Sequence, residues 1–431
     1  MTVALIGFAT LILLCFFGFK VGFATMFVGI VGFAFQRGWE PALAVTGTQI
    51  MEDAMNYNLS VIPLFVLMGV FIYRANISRD LYDAAYILLG QMRGGLALST
   101  VVACAGFSAV CGSSIATAAT MTKVAMPPMR KYRYSDSLAT GTIAAGGTLG
   151  IMIPPSVPLV IYGIVAEQDI AKLFIAGIVP GLLLVLLFLV AVAITVRLNP
   201  DAGPAGDPLP AERKAQALKS VWPIVGLFIL VLGGIYGGIF TPTEAAGIGA
   251  FGAATISWFR GHLRTLREWK ISLVEACKTT ATLFIAIFGA LVFAQFINLS
   301  GMPYDILDTI EDMNLTPWQL VLVIAAIAVV MGMIFESIGI LLLLVPVFLP
   351  ALYDTGVDMI WFGIVVVLVT ELGLITPPIG MNVFVVKSVL PDAELRQIFI
   401  GVVPFIFAML AALIVVFSVP EFATFLPRLM E

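Results

Sequence analysis

The sequence predicts an all-α polytopic membrane protein made of two inverted-topology repeats, each with a re-entrant helical hairpin and a broken transmembrane helix. Three observations predict it. Of 431 residues, 61% are hydrophobic and 11% charged, with a mean hydropathy of +1.08, whereas soluble domains carry about 25% charged residues. Apolar runs of about 20 residues, enough to cross a bilayer, recur from end to end. Second, sliding the sequence against itself by 223 residues lays GTLGIMIPPS (147–156) on TELGLITPPI (370–379). Third, basic residues collect at opposite ends of equivalent segments, as they do when the repeats cross the membrane in opposite senses.

The repeat rests on several motifs at one offset. Ser114-Ile115 falls on Ser337-Ile338, Pro127 on Pro350, Gly29 on Gly252 and Arg37-Gly38 on Arg260-Gly261. With one inserted residue, Gly177 and Pro180 fall on Gly401 and Pro404. The halves are residues 1–198 and about 221–420, joined by the polar linker NPDAGPAGDPLPAERKAQALKS. RKYR (130–133) is basic where its counterpart holds Asp354 and Asp358. Segment 260–278 holds Arg260, Arg264, Arg267, Lys270 and Lys278 where its counterpart holds Glu40, Glu52 and Asp53.

Each element follows in order. The first run, MTVALIGFATLILLCFFGF, lacks a basic flank before it and reads as a span, not a cleaved signal. With the N-terminus outside, spans are expected at 3–19, 21–36 and 57–73. A re-entrant hairpin at 94–127 follows, then a broken span at 136–165 and a span at 172–197. The second half repeats this upside down: 221–239, 244–259, 277–297, a hairpin at 317–350, a broken span at 359–388, and 397–419. This path leaves only Arg37, Lys172 and Arg428 outside, with Lys123 inside a hairpin and every other Lys and Arg within. NISRDLYDAAYILLGQ and HLRTLREWKISLVEA have helical amphipathic spacing and read as interfacial helices. Thr241-Pro242-Thr243-Glu244 is a capping-box pattern that starts the helix 244–259. The four cysteines, Cys15, Cys104, Cys111 and Cys277, lie in apolar segments without a CxxC pair and read as packing residues.

Proline removes a backbone donor and breaks a helix. In lipid the freed groups cost several kcal/mol unless protein or ligand meets them. Inverted repeats with a broken span and a hairpin in each half therefore point to a secondary transporter with its sites near the midplane. The first half-helix is expected to end near Gly146-Gly147, offering carbonyls to a cation. The second is expected to begin at Pro154-Pro155, offering free amides to a carboxylate. The tip CGSSIATAAT supplies Ser113, Ser114 and Thr117 as hard oxygen ligands beside Gly147, Thr148 and Gly150. In the second half FESIG supplies Glu336, Ser337 and Gly339, beside Thr370, Gly373 and Thr376. Pro154, Pro155, Ser156, Glu371, Pro377, Pro378 and Asn382 are the substrate-adjacent candidates. Carboxylates such as Glu336 and Glu371 in apolar surroundings mark function, or else bond a frayed helix end. Small residues also serve close helix packing; their clustering at two related breaks favours a site. No HExxH, GxSxG or Walker A motif is present, and the single His262 excludes the usual metal-hydrolase sets. An intramembrane enzyme would need paired aspartates or a Ser/His dyad within spans, and neither is seen.

GTIAAGGTLGIMIPPSVPLVIYGIVAEQ, CGSSIATAAT, GGIFTPTEAAGIGAFGA and ELGLITPPIGMNVFVVKS resemble the large membrane subunit of tripartite ATP-independent periplasmic (TRAP) transporters. The resemblance runs through nearly the whole chain. IPPS and TPPIG alone are also similar to the wider ion-transporter superfamily of dicarboxylate and citrate carriers, so a stand-alone carrier is the second reading. The family resemblance implies an elevator-type protein in the bacterial inner membrane, both termini periplasmic. Scaffold and arm helices would occupy 1–93 and 221–316, the transport domain 94–198 and 317–420, and a cytoplasmic linker 199–220. It implies Na⁺ as coupling ion with no other cofactor, and an organic acid such as a C4-dicarboxylate or sialic acid as substrate. Family sodium sites carry over to Ser113, Ser114, Gly147, Thr148 and Gly150, and to Ser337, Gly373 and Thr376. The implied partners are a small four-helix membrane subunit, not fused ahead of this chain, and a periplasmic substrate-binding protein. Voltage favours such coupling: each cation moved inward through 100 mV contributes about 2.3 kcal/mol.

Overall fold

The computed structural model describes residues 2–207 and 211–430 and, of residues 110, 211–216 and 218, the backbone alone. Its described residues form helices and no strand. The first half runs α1 (Thr2–Phe16), α2 (Val21–Arg37), α3 (Trp39–Ala54), α4 (Val61–Arg74), α5 (Ile77–Leu89), α6 (Gly95–Cys111), α7 (Ser114–Lys131), α8 (Asp136–Met152), α9 (Val157–Val165) and α10 (Ile170–Leu198). The second runs α11 (Ala211–Tyr236), α12 (Pro242–Phe259), α13 (Leu266–Leu299), α14 (Met302–Asp312), α15 (Pro317–Gly332), α16 (Ser337–Asp354), α17 (Met359–Ile375), α18 (Met381–Val389), α19 (Leu395–Ser418) and α20 (Glu421–Arg428). The helix bounds keep the sequence offset: α16 and α17 repeat α7 and α8 residue for residue at 223 positions. Among the described residues six helices are long and apolar enough to cross a membrane, or seven if α8 and α9, bent by 43° at their break, count as one span.

Five sequence expectations are corrected. The first half-helix does not end at Gly146-Gly147 but runs on to Met152. Glycine costs a helix about 1 kcal/mol, less than an unpaired amide costs in lipid. Pro154 and Pro155 then lie in the break itself, and the next helix starts at Val157 behind Ser156. Segment 37–55 holds α3, and HLRTLREWKISLVEA is not a separate interfacial helix: from Leu266 it runs unbroken into its span as the 34-residue α13. The linker shortens, because α11 begins at Ala211; residues 208–210 lie outside those described. Cys277 is exposed and so is not a core residue.

The two halves interlock. α2 packs along α13 and α12 along α4, while α7 meets α18 and α16 meets α9. Close backbone contact makes this possible. A Cβ on Gly29 would lie 2.8 Å from the Phe293 amide nitrogen, and one on Gly401 would lie 2.0 Å from the Ser137 carbonyl oxygen. The Thr241 capping box is present, with Glu244 accepting the Thr241 N–H at 2.9 Å. The linker is pinned to the base of the first hairpin, where Gly94 N–H donates to Gly203 and Tyr132 O–H to Asp207. Arg130 bridges Asp136 at 3.1 Å and Asp392 at 2.7 Å, tying α7 to the α18–α19 loop. The Arg130 guanidinium holds the Asp392 carboxyl below its ordinary range.

The α8–α19 crossing tolerates no added methyl group. Gly401→Ala should lower stability by about 1–3 kcal/mol through overpacking, read as a lowered melting temperature in detergent. Gly247→Ala, whose Cβ would find only Leu64 at 4.0 Å, should leave that temperature unchanged.

Candidate functional site

The first tip is built on the first break. α6 ends at Cys111, Gly112 turns the chain at φ 62°, and Ser113 caps α7 by accepting the Ala116 N–H at 3.4 Å. Gly112 is needed twice over: its φ is left-handed, and a Cβ there would stand 3.2 Å from the Pro155 carbonyl oxygen. The tip therefore rests on the break between α8 and α9. Pro154, Pro155 and Ser156 are buried, and Ser156 restarts the chain by accepting the Leu159 N–H at 3.3 Å.

Oxygen collects along one turn of α8. A Cβ on Gly150 would lie 3.2 Å from Ser108 Oγ and from the Ser113 carbonyl; one on Gly147 would lie 3.0 Å from the Ser114 carbonyl. Asn382 reaches the same turn from the other half, donating Nδ2–H to the Ala144 carbonyl at 3.2 Å. Ser108 Oγ, Thr117 Oγ1 and Asn382 Oδ1 are buried without hydrogen-bond partners. Buried polar atoms are nearly always satisfied; these orphan oxygens and the two tip carbonyls have the chemistry of hard-cation ligands. Thr148 donates its hydroxyl to the Ala145 carbonyl at 2.6 Å, which leaves its lone pairs free.

The second tip carries a carboxylate. Ser337 Oγ–H donates to Glu371 Oε1 at 2.7 Å, and the buried Glu371 Oε2 has no partner. Here α15 and α17 touch backbone to backbone, a Cβ on Gly373 falling 2.5 Å from the Gly332 Cα. Thr370 and Thr376 donate their hydroxyls to Val367 and Leu372 of their own helix. Gly339 points elsewhere: its nearest neighbour is Val21, at 3.5 Å. Pro377 and Pro378 are exposed, unlike their counterparts.

Both tips open on one cavity of about 350 Å³. Gly112, Ser113 and Ser114 line it on one side and Glu336, Ser337 and Ile338 on the other, with α4, α9 and α13 closing the rest. Glu336 is exposed to it. Glu275, in its wall, pairs with Arg74. Among the described residues no cluster of His, Cys, Asp or Glu could hold a metal by side chains alone, so a cation here would rely on carbonyls, hydroxyls and the Asn382 amide.

Ser108 carries no sequence signal, and Asn382, expected beside the substrate, lies against the first break's α8. Both placements depend on packing between α6, α8 and α18 that spacing along the chain does not carry. Ser337→Ala leaves Glu371 without its donor and should cost about 1–3 kcal/mol, seen as a lower melting temperature. Ser337→Thr, which keeps the hydroxyl, should recover most of it.

Comparisons with known proteins agree with this architecture. Residues 8–422 match the family described as Tripartite ATP-independent periplasmic transporter, DctM component. A C4-dicarboxylate TRAP transporter large permease protein of Pseudomonas aeruginosa is 36% identical, with 88% of each chain covered. A sialic acid TRAP transporter large permease protein of Vibrio cholerae is 31% identical over 96% of each chain. An ectoine TRAP transporter large permease protein of Halomonas elongata is 31% identical over 97% of each. Among solved structures, the Alcanivorax borkumensis YdaH transporter shares the fold at TM-score 0.64 and 14% identity over 88% of each chain. Neisseria gonorrhoeae MtrF does so at TM-score 0.61 and 15% identity, over 89% of this chain and 84% of its own. The chain is a multi-pass membrane transport protein, not an enzyme, and belongs to the DctM component family, the large permeases of TRAP transporters.

Proposed function

We propose that this chain is the translocating subunit of a binding-protein-dependent transporter that uses Na⁺ to take up an organic acid across the bacterial inner membrane. The observation that carries the reading is the meeting of two hairpin tips at one cavity, each tip backed by buried oxygen without a partner. Ser108, Thr117, Asn382 and the carbonyls of Ser113 and Ser114 form the first Na⁺ site. Ser337, Glu371, Thr370 and Glu336 form the second. A buried carboxylate lacking a cation is costly in a membrane, which supports a cation at Glu371. The cavity between the tips takes the substrate, with Ser156 and the amide end of α9 nearby.

The repeats cross in opposite senses, with both termini periplasmic. Scaffold helices hold the hairpins and broken spans, which move together as an elevator; the Arg130–Asp392 bridge supports that body. A small four-helix membrane subunit and a periplasmic binding protein complete the system. C4-dicarboxylates and sialic acids, named for relatives, are the first substrates to test. A stand-alone carrier of the wider superfamily is the second reading, favoured only by the shared fold of the solved neighbours.

Uptake into proteoliposomes holding this chain and its small subunit, with binding protein outside, should collapse when Na⁺ is replaced by K⁺. Thr117→Val and Asn382→Ala should raise the Na⁺ concentration for half-maximal uptake about tenfold, the loss of one oxygen ligand worth about 1.4 kcal/mol. Uptake indifferent to the swap ends the sodium reading. Uptake without binding protein or small subunit replaces the tripartite reading with the stand-alone carrier.

A further inference from the structure

A second cavity of about 320 Å³ adjoins the first, Tyr73 and Thr120 lining both. Among the described residues its lining holds the permanent cations Arg74 and Lys123, together with His262 and Glu268. Arg74 is bound to Glu275, and Glu268 accepts the Thr265 and Arg264 N–H groups at the start of α13. Lys123, also in the lining, is exposed and makes no hydrogen bond or ion pair among the described residues. Its helix leads to it: Ser113, Ala116, Thr120 and Lys123 follow one another three or four residues apart, and each lines one cavity or the other. Residues at that spacing share a helix face, so α7 presents a small, polar track from the tip to an ammonium group.

The other repeat has no such track. At 223 positions further on, Gly339, Leu342, Leu343 and Pro346 replace Ala116, Ala119, Thr120 and Lys123. Leu342 and Leu343 are buried in the core. The fold therefore does not require the polar face, and Lys123 stands exposed where that face meets the second cavity. We infer that the cavity beside Lys123 is an anion-receiving vestibule, where its ammonium takes the carboxylate of a ligand leaving the space between the tips. This rests on the organic-acid reading above. A single point charge on a flexible stem suits a transient hand-over better than tight binding.

The test is charge-selective thiol labelling of Thr120→Cys in detergent-extracted protein, with Cys15, Cys111 and Cys277 replaced by Ser. The probes are methanethiosulfonate reagents, one carrying an anionic ethylsulfonate and the other a cationic trimethylammonium. Lys123→Met should lower the anionic-to-cationic rate ratio about tenfold, as one nearby charge at intermediate dielectric predicts, and Lys123→Arg should retain it. Lys123→Gln, less disruptive to solubility, should behave as Lys123→Met does. A ratio unmoved by both neutral variants overturns the vestibule. The sodium-for-potassium swap is read separately, so a Lys123-dependent ratio with sodium-independent uptake upholds the vestibule while removing sodium coupling.

Discussion

Everything in this fold depends on the cost of an unpaired backbone amide in hydrocarbon. A chain that breaks two helices at depth must cover the breaks with protein, because lipid offers no hydrogen bonds. The first hairpin does this for the α8–α9 break, laying Gly112 against the Pro155 carbonyl. The α17–α18 break faces outward at Pro377 and Pro378, and α18 instead carries Asn382 across to the first site. Interlocking of the halves follows: α7 and α16 each pack against the second half-helix of the opposite repeat. The same irregular backbone that needs covering also presents oxygen.

The repeats match in backbone but not in chemistry. The first site relies on neutral oxygen, from Ser108, Thr117 and Asn382, while the second holds the Glu371 carboxylate bonded to Ser337. The hairpin faces differ as much, polar on α7 and apolar on α16. Symmetric scaffolding thus carries an asymmetric lining: both tips border one shared cavity, and only the α7 side adds a polar face. The Arg74–Glu275 pair, whose Glu275 lines the cavity, joins α4 to α13.

Much of this was legible in the sequence, because the repeat left its mark in motifs at a constant offset. The helix bounds Ser114–Lys131 and Asp136–Met152 recur unchanged in the second half, and the prolines mark both breaks. Other parts were not legible, for physical reasons. The start of α13 carries charges and so hides from hydropathy, although it is continuous with a span. Gly146 and Gly147 suggest a helix end, yet the demand for paired amides carries α8 past them until proline removes the donor. The first site draws Ser108, Thr117 and Asn382 from α6, α7 and α18, a convergence that only tertiary packing reveals.

The central claim is that the orphaned oxygens at the first tip are ion ligands. Equilibrium binding of radioactive ²²Na⁺ to the purified protein tests it most directly. The account predicts saturable binding that excess unlabelled Na⁺ displaces and K⁺ does not, lost in part when Thr117→Val and Asn382→Ala are combined. Binding with no saturable component, or untouched by that pair of substitutions, would contradict it.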